Sequence, residues 1–227
     1  MKITYIYHSS FCVELEKCIL LFDYFQGNIP NFDKNKKLYV FSSHSHHDHF
    51  NKCIFKLGET HPDVTYILSN DINSPKSENI KIIAANERLL VDNLIIETLE
   101  SSDLGVAFVV RVEGKTIYHA GDLNWWHWEG ENSPEENDYA EKIFKAPINK
   151  LKGKNIDIAF LPLDPRQGDQ YYLGFDYFMK NTNTKLAFPM HLWKTYSLIK
   201  IFKNSNHALD YKDKIVEVSY EGEEFQV

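Results

Sequence analysis

Cysteine, basic charge and long apolar runs are all in short supply in this 227-residue chain. Its three cysteines, Cys12, Cys18 and Cys53, are odd in number and form no CxxC pair. That excludes a disulfide framework and leaves them as small buried residues of a reducing compartment. Only 25 Lys and Arg stand against 32 Asp and Glu, a formal net charge of −7. The chain therefore lacks the basic face that a long nucleic-acid footprint requires, and its lysines are scattered. No stretch approaches the roughly 20 apolar residues of a membrane span. The opening MKITYIYHSS has no continuous apolar segment of the kind a secretory signal needs. These absences predict a soluble, cytoplasmic protein that engages neither membrane nor nucleic acid. Oligomeric state leaves no mark in the sequence.

A hydrophobic content of 43% is enough for a sizeable core, and a single domain over residues 1–227 is expected. Short apolar or alternating runs at 3–7, 11–15 and 18–22 read as antiparallel strands, with Glu16-Lys17 turning between the last two. LYVFSS (38–43) reads as a buried strand, and further strands are expected at 64–68, 80–84, 94–99, 105–112 and 115–119. Helical patterns at about 50–57, 135–151, 174–181 and 194–204 alternate later with strands at 156–163 and 185–190. Ser133, Pro134 and Glu136 form the start signal of the second helix. Strands first, then strands alternating with helices, predicts an α+β arrangement of two sheets or one curved sheet covered by helices.

One segment carries chemistry. In VFSSHSHHDHF (40–50), four histidines and an aspartate fall within His44 to His49, at the end of an apolar run. Residues two apart on a strand share a face, so His44 and His46 can aim two imidazoles at one point, with Asp48 and His49 following in the turn. Imidazole nitrogen and carboxylate oxygen suit Zn, Fe or Mn alike. The plain alternative is a histidine-rich polar loop.

The cluster resembles the HxHxDH motif of the metallo-β-lactamase superfamily, and the resemblance continues through IYHAGDLN (117–124) and LAFPMHLW (186–193). It is most similar to the branch that includes bacterial L-ascorbate-6-phosphate lactonase. The resemblance implies an αβ/βα four-layer sandwich and a metal-dependent hydrolase with one or two divalent cations, zinc first among them. It implies that His44 and His46 bind a first cation and that Asp48, His49 and His191 bind a second, with Asp122 bridging. Asp48 would also hold or deprotonate the attacking water. Asp23 and His119 would stand behind the ligands and support them, although Asp23 also reads simply as a turn after a strand. His47 would face solvent or support a ligand, and His8 is expected to be a hydrogen-bonded structural histidine.

The pattern breaks in TLESSDLGVAFVV (98–110), where the family places one more histidine and this chain has none. Three readings stay open: Asp103 substitutes with oxygen, His119 or His127 fills the gap, or the first site is weak and one cation does the work. LNWWHWEGE (123–131) offers Trp126 and His127 as a wall facing substrate, but anchoring in the core is the expectation for at least two of its three tryptophans. Arg166 in LDPRQGDQYY (163–172) is a candidate anion ligand or a surface partner of Asp164 or Asp169. The expectation is a hydrolase of a small, anionic molecule, a lactone or a phosphorylated metabolite. A nuclease or phosphodiesterase of the same superfamily and a metal-binding module without activity are the alternatives.

Overall fold

All five residues of CILLF (Cys18–Phe22, β3) are buried, which requires cover on both faces of the strand. Cys18, Leu20 and Phe22 enter the main core, and Ile19 and Leu21 enter a second cluster behind it. A continuous apolar run rather than an alternating one is the signature of such a strand.

A computed structural model describes residues 1–227 and shows two sheets packed face to face. The first contains β1 (Lys2–Tyr7), β2 (Ser10–Glu14), β3, β4 (Lys37–Ser42), β5 (Val64–Ser69) and β6 (Ile80–Ile83), with the short β13 (Glu224–Gln226) beside β1. The second contains β7 (Arg88–Val91), β8 (Leu94–Glu100), β9 (Val106–Val112), β10 (Lys115–His119), β11 (Asn155–Pro162) and β12 (Asn183–Met190). Aromatic side chains close the space between them: Phe11 meets Phe160 at 4.3 Å between ring centroids, and Phe41 meets Phe108 at 5.3 Å.

The outer face of the first sheet is covered by a 3-10 turn over Lys52–Lys56 and the single-turn α1 (Leu57–Thr60). The sequence pattern predicts one helix here, but the chain changes winding where Lys56 gives way to Leu57. On the far side lie α2 (Pro134–Asn149) and α3 (Leu173–Asn181), and α4 (Ser197–Lys203) packs Leu198, Ile199 and Phe202 into the main core. The α2 start is the expected capping box: Ser133 accepts from Glu136 N, and Glu136 accepts from Ser133 N. The architecture is the αβ/βα sandwich implied by the resemblance. Strands β7 and β13 had no signal in the sequence; β7 is a four-residue edge strand and β13 a three-residue one. No helix is long and apolar enough to cross a membrane.

Topology selects where chemistry collects. β3, β4 and β5 run parallel in one sheet, and β10, β11 and β12 run parallel in the other. Their C-terminal ends open along one edge of the sandwich, where Asp23, His44, Asp122, Asp164 and His191 follow strands β3, β4, β10, β11 and β12. At this edge the chain entering β9 comes very close to the end of β4: Val106 N donates to Ser43 O at 3.0 Å. Gly105 permits the approach, with φ +69° and space in which an added Cβ would lie 2.1 Å from Ser43 O. Gly105→Ala is expected to lower stability by about 2 kcal/mol or more and to loosen the backbone that carries His44. Urea titration checks this; an unchanged midpoint would contradict the role given to the contact.

Candidate metal centre

The histidine cluster begins two residues beyond β4 and curls at once. His49 N and Phe50 N both donate to His46 O at 3.0 Å, a tight turn that brings Asp48 and His49 back beside His44. His44 and His49 are fully buried, His46 is about half exposed (46%), and His47 stands in solvent at 93% exposure. Asp122 arrives from the end of β10 and His191 from the end of β12. Asp23, His191 and His8 all hold a positive φ, at 44°, 64° and 54°. Such backbone is costly for residues with side chains, and here it collects around one centre.

The distances define that centre. Asp122 Oδ1 lies 3.0 Å from His49 Nε2 and 3.1 Å from His191 Nε2, and those two nitrogens are 3.3 Å apart. The other oxygen, Asp122 Oδ2, lies 3.4 Å from His44 Nε2. His44, His46 and Asp122 form one group able to hold a cation, and Asp48, His49, His191 and His8 form a second. Asp122 thus faces both groups.

The far side of three of these rings is already committed. His49 Nδ1 meets Asp23 Oδ2 at 2.7 Å, His191 Nδ1 meets Asp164 Oδ2 at 2.8 Å, and His44 Nδ1 meets Ser43 Oγ at 2.9 Å. Nδ1–H donated to a carboxylate leaves Nε2 as a lone pair, so His49 and His191 turn acceptors toward each other and toward Asp122. His44 Nε2, His8 Nε2 and Asp122 Oδ1 are buried without a hydrogen-bond partner. Asp122 and the inward nitrogens of His44, His49 and His191 are buried acceptors converging with no donor among them, a set balanced only by positive charge, and the residues present fit a divalent cation.

Protons are the competitor. Burial alone would push the His49 and His191 imidazolium ions down, but the Asp122 carboxylate outweighs it and raises both above the ordinary histidine value. Burial likewise opposes ionised Asp122, yet His49 and His191 hold it well below the usual carboxylate range. His8 goes the other way: burial brings it down to about 4.

Several expectations change. His119 does not fill the gap in the first site, because its Nε2 binds Ser9 O at 2.9 Å and its Nδ1 accepts from Gly121 N at 3.1 Å. Behind the ligands it lies 3.7 Å from Asp23. His127 neither fills the gap nor lines the cleft over the centre; it pairs with Glu129 at 3.0 Å on the outside. Ser102 is also unavailable, since its hydroxyl donates to Asn124 O at 2.6 Å. Asp103 does reach the open side, with Oδ2 3.6 Å from His46 Nδ1. Of the three tryptophans only Trp125 packs against the core; Trp126 and Trp128 line the cleft, against the expectation that two would be buried. Arg166 combines both readings, bonding Asp164 while lining the cleft.

Two residues of the centre escaped the sequence reading. Asp164 entered only as a partner for Arg166, yet it is fully buried and braces His191. The available signal was its place just beyond β11, between parallel strands that end at Asp122 and His191. His8 is buried, but it is not a satisfied structural histidine: its Nε2 lies 3.5 Å from Asp48 Oδ2 and its ring meets that of His191 at 4.0 Å between centroids, tilted by 49°.

Known proteins resemble this chain in sequence and in fold. A family model described as a β-lactamase superfamily domain matches residues 2–126. A relative from Opitutus terrae, named a metal-dependent hydrolase, is 25% identical over 214 residues, covering 84% of each chain. Another of the same description, from Nanoarchaeum equitans, is 28% identical over 217 residues, covering 88% of this chain and 87% of its own. A metallo hydrolase from the hyperthermophilic archaeon Ignicoccus hospitalis shares the fold, with a TM-score of 0.66 at 17% identity over 100% of this chain and 98% of that one.

The linkage has a definite sign. Without a cation, protonated His49 and His191 contribute stability that is complete at low pH and is lost as pH rises through their raised folded values. A bound cation needs those rings deprotonated, so its contribution grows over the same range. The melting temperature with zinc or manganese is expected to exceed that of chelated protein, by a margin that widens from pH 6 to pH 8. Saturation at a thousand times the dissociation constant corresponds to about 4 kcal/mol. Calorimetry with and without EDTA checks this; a margin that shrinks with pH would contradict it.

Proposed function

The chain belongs to the metallo-β-lactamase superfamily, and from that premise we propose that it is a metal-dependent hydrolase of a small molecule. The observation that carries the reading is the convergence of unpartnered His44 Nε2 and Asp122 Oδ1 with His49 and His191, beneath an open cleft of about 730 Å³. His44, His46 and Asp122 would hold one cation and Asp48, His49, His191 and Asp122 another, with Asp103 offering a further oxygen on the first side. Nitrogen with carboxylate oxygen suits zinc, and also manganese or iron. Divalent cations held there supply a neutral-pH water nucleophile and stabilise charge that develops on the scissile carbonyl or phosphoryl group.

The chain's own residues do the rest. Asp48 reaches the cleft floor with 14% of its side chain exposed. Burial works against its charge, but His8 and His49 keep it ionised, so it can accept a hydrogen bond from the attacking water and orient it. Asp23 and Asp164 lock the tautomers of His49 and His191. Trp126, 5.7 Å from His191 ring to ring, limits water beside that ligand. The resemblance to the lactonase branch favours a lactone or a phosphorylated metabolite as substrate. The −7 net charge and the carboxylates along the cleft disfavour the nuclease reading.

The test is metal content together with turnover on a panel of lactones and phosphodiesters. Asp48→Ala is expected to lower kcat/KM on the order of a thousandfold, and Asp122→Ala to remove activity and bound metal together. Metal-replete protein that retains no cation would sink the reading.

A further inference from the structure

The cleft above the centre has one wall that the hydrolase reading leaves without a task. Trp126 and Trp128 lie parallel, 2° between planes and 5.8 Å between centroids, and both face the cleft rather than the core. Burying a tryptophan is strongly favourable and leaving one partly exposed forfeits part of that gain. Here two are held out deliberately: Gln167, itself buried, donates to Trp125 O at 2.8 Å and His127 O at 3.3 Å, and Trp126 Nε1 donates back to Asp122 O at 3.0 Å. The aromatic shelf is therefore fixed to the backbone of Asp122, the residue whose carboxylate lies at the heart of the centre. Across from it, the second and third turns of α2 present Tyr139 and Ile143.

Charge points the same way. Arg166 is the only Lys or Arg lining the cleft, and Asp164 already takes both its Nε and its Nη2. The guanidinium lies over Trp193 at 4.7 Å and Trp128 at 5.8 Å, so its faces rest near indole rings and Nη1 is the nitrogen left without a partner. Asp103, Glu135 and Glu136 line the same cleft and would repel an anionic substituent.

Resting on the hydrolase reading and refining it, we propose that this shelf selects substrates with a neutral, flat apolar group beside the scissile bond, an aryl lactone rather than a phosphorylated one. The scissile group sits over His191 and Asp122, the flat group lies along Trp126 and Trp128 against α2, and the acidic rim turns away anionic substituents. A cleft of about 730 Å³ has room for such a ligand.

Three lactones differing in one substituent test this on the metal-loaded protein: γ-butyrolactone, its γ-phenyl derivative and its γ-phosphomethyl derivative. The phenyl lactone is expected to exceed the parent in kcat/KM by about tenfold to a hundredfold, and the phosphomethyl lactone to fall below it. In Trp128→Ala the phenyl-to-parent ratio collapses toward one, and in Trp128→Phe much of it returns. Equal kcat/KM for all three, or preference for the phosphomethyl compound, overturns the inference while leaving the hydrolase reading intact. No turnover of any of the three counts against the hydrolase reading instead, and tryptophan emission then decides the inference. Quenching by the phenyl lactone but not by its phosphomethyl analogue supports the shelf, and its absence overturns it.

Discussion

A buried carboxylate facing buried imidazole lone pairs is the constraint around which this molecule is arranged. Asp122 is 5% exposed, and its two oxygens look toward His49 and His191 on one side and His44 on the other. Such a group is expensive to bury unless positive charge joins it. Protons can supply that charge in the free protein, which is why the imidazoles beside Asp122 hold them so tightly, and a divalent cation supplies it better. Much of the surrounding architecture keeps these groups from relaxing apart.

That restraint comes from the pairing of two sheets. Parallel strands in each sheet bring their C-terminal ends to a shared edge, and residues from both sheets meet there. Asp23 from the first sheet and Asp164 from the second each brace a histidine across the edge of the core. Ser43 is tied to Asp23 through both its N–H and its hydroxyl. Gly105 then lets the β9 entrance close down upon it. The rings of His44, His49 and His191 are each oriented by a hydrogen bond on one nitrogen so that the other is free to bind, the arrangement that tunes and orients metal-binding imidazoles generally.

The two sides of Asp122 are not equivalent. The His49 and His191 side is sealed, braced by two carboxylates and backed by His8. The His44 and His46 side is open, with His46 and Asp103 each about half exposed and no third imidazole. A half-exposed position with fewer buried ligands loses a cation more readily than a closed one. The cleft opens over that looser side and beneath the tryptophan loop, so substrate recognition and the less protected cation position share one space.

Much of this was legible in the chain. Apolar runs identified most strands because strand burial writes itself into local periodicity, and the capping box of α2 marked its own start. The His44 to His49 cluster, Asp122 and His191 were recognisable because ligand chemistry needs particular residue types at strand ends. The sequence by itself determined which side chains could bind a cation and roughly which elements carry them. Only the tertiary structure decided that His119 and His127 turn away, that His8 and Asp164 belong to the centre, and that Trp126 and Trp128 face the cleft while Trp125 does not. These are facts about side-chain direction, some of them between segments more than 100 residues apart, such as His8 and His191. Local spacing carries no record of them; they are set by how the two sheets and the connecting loops pack.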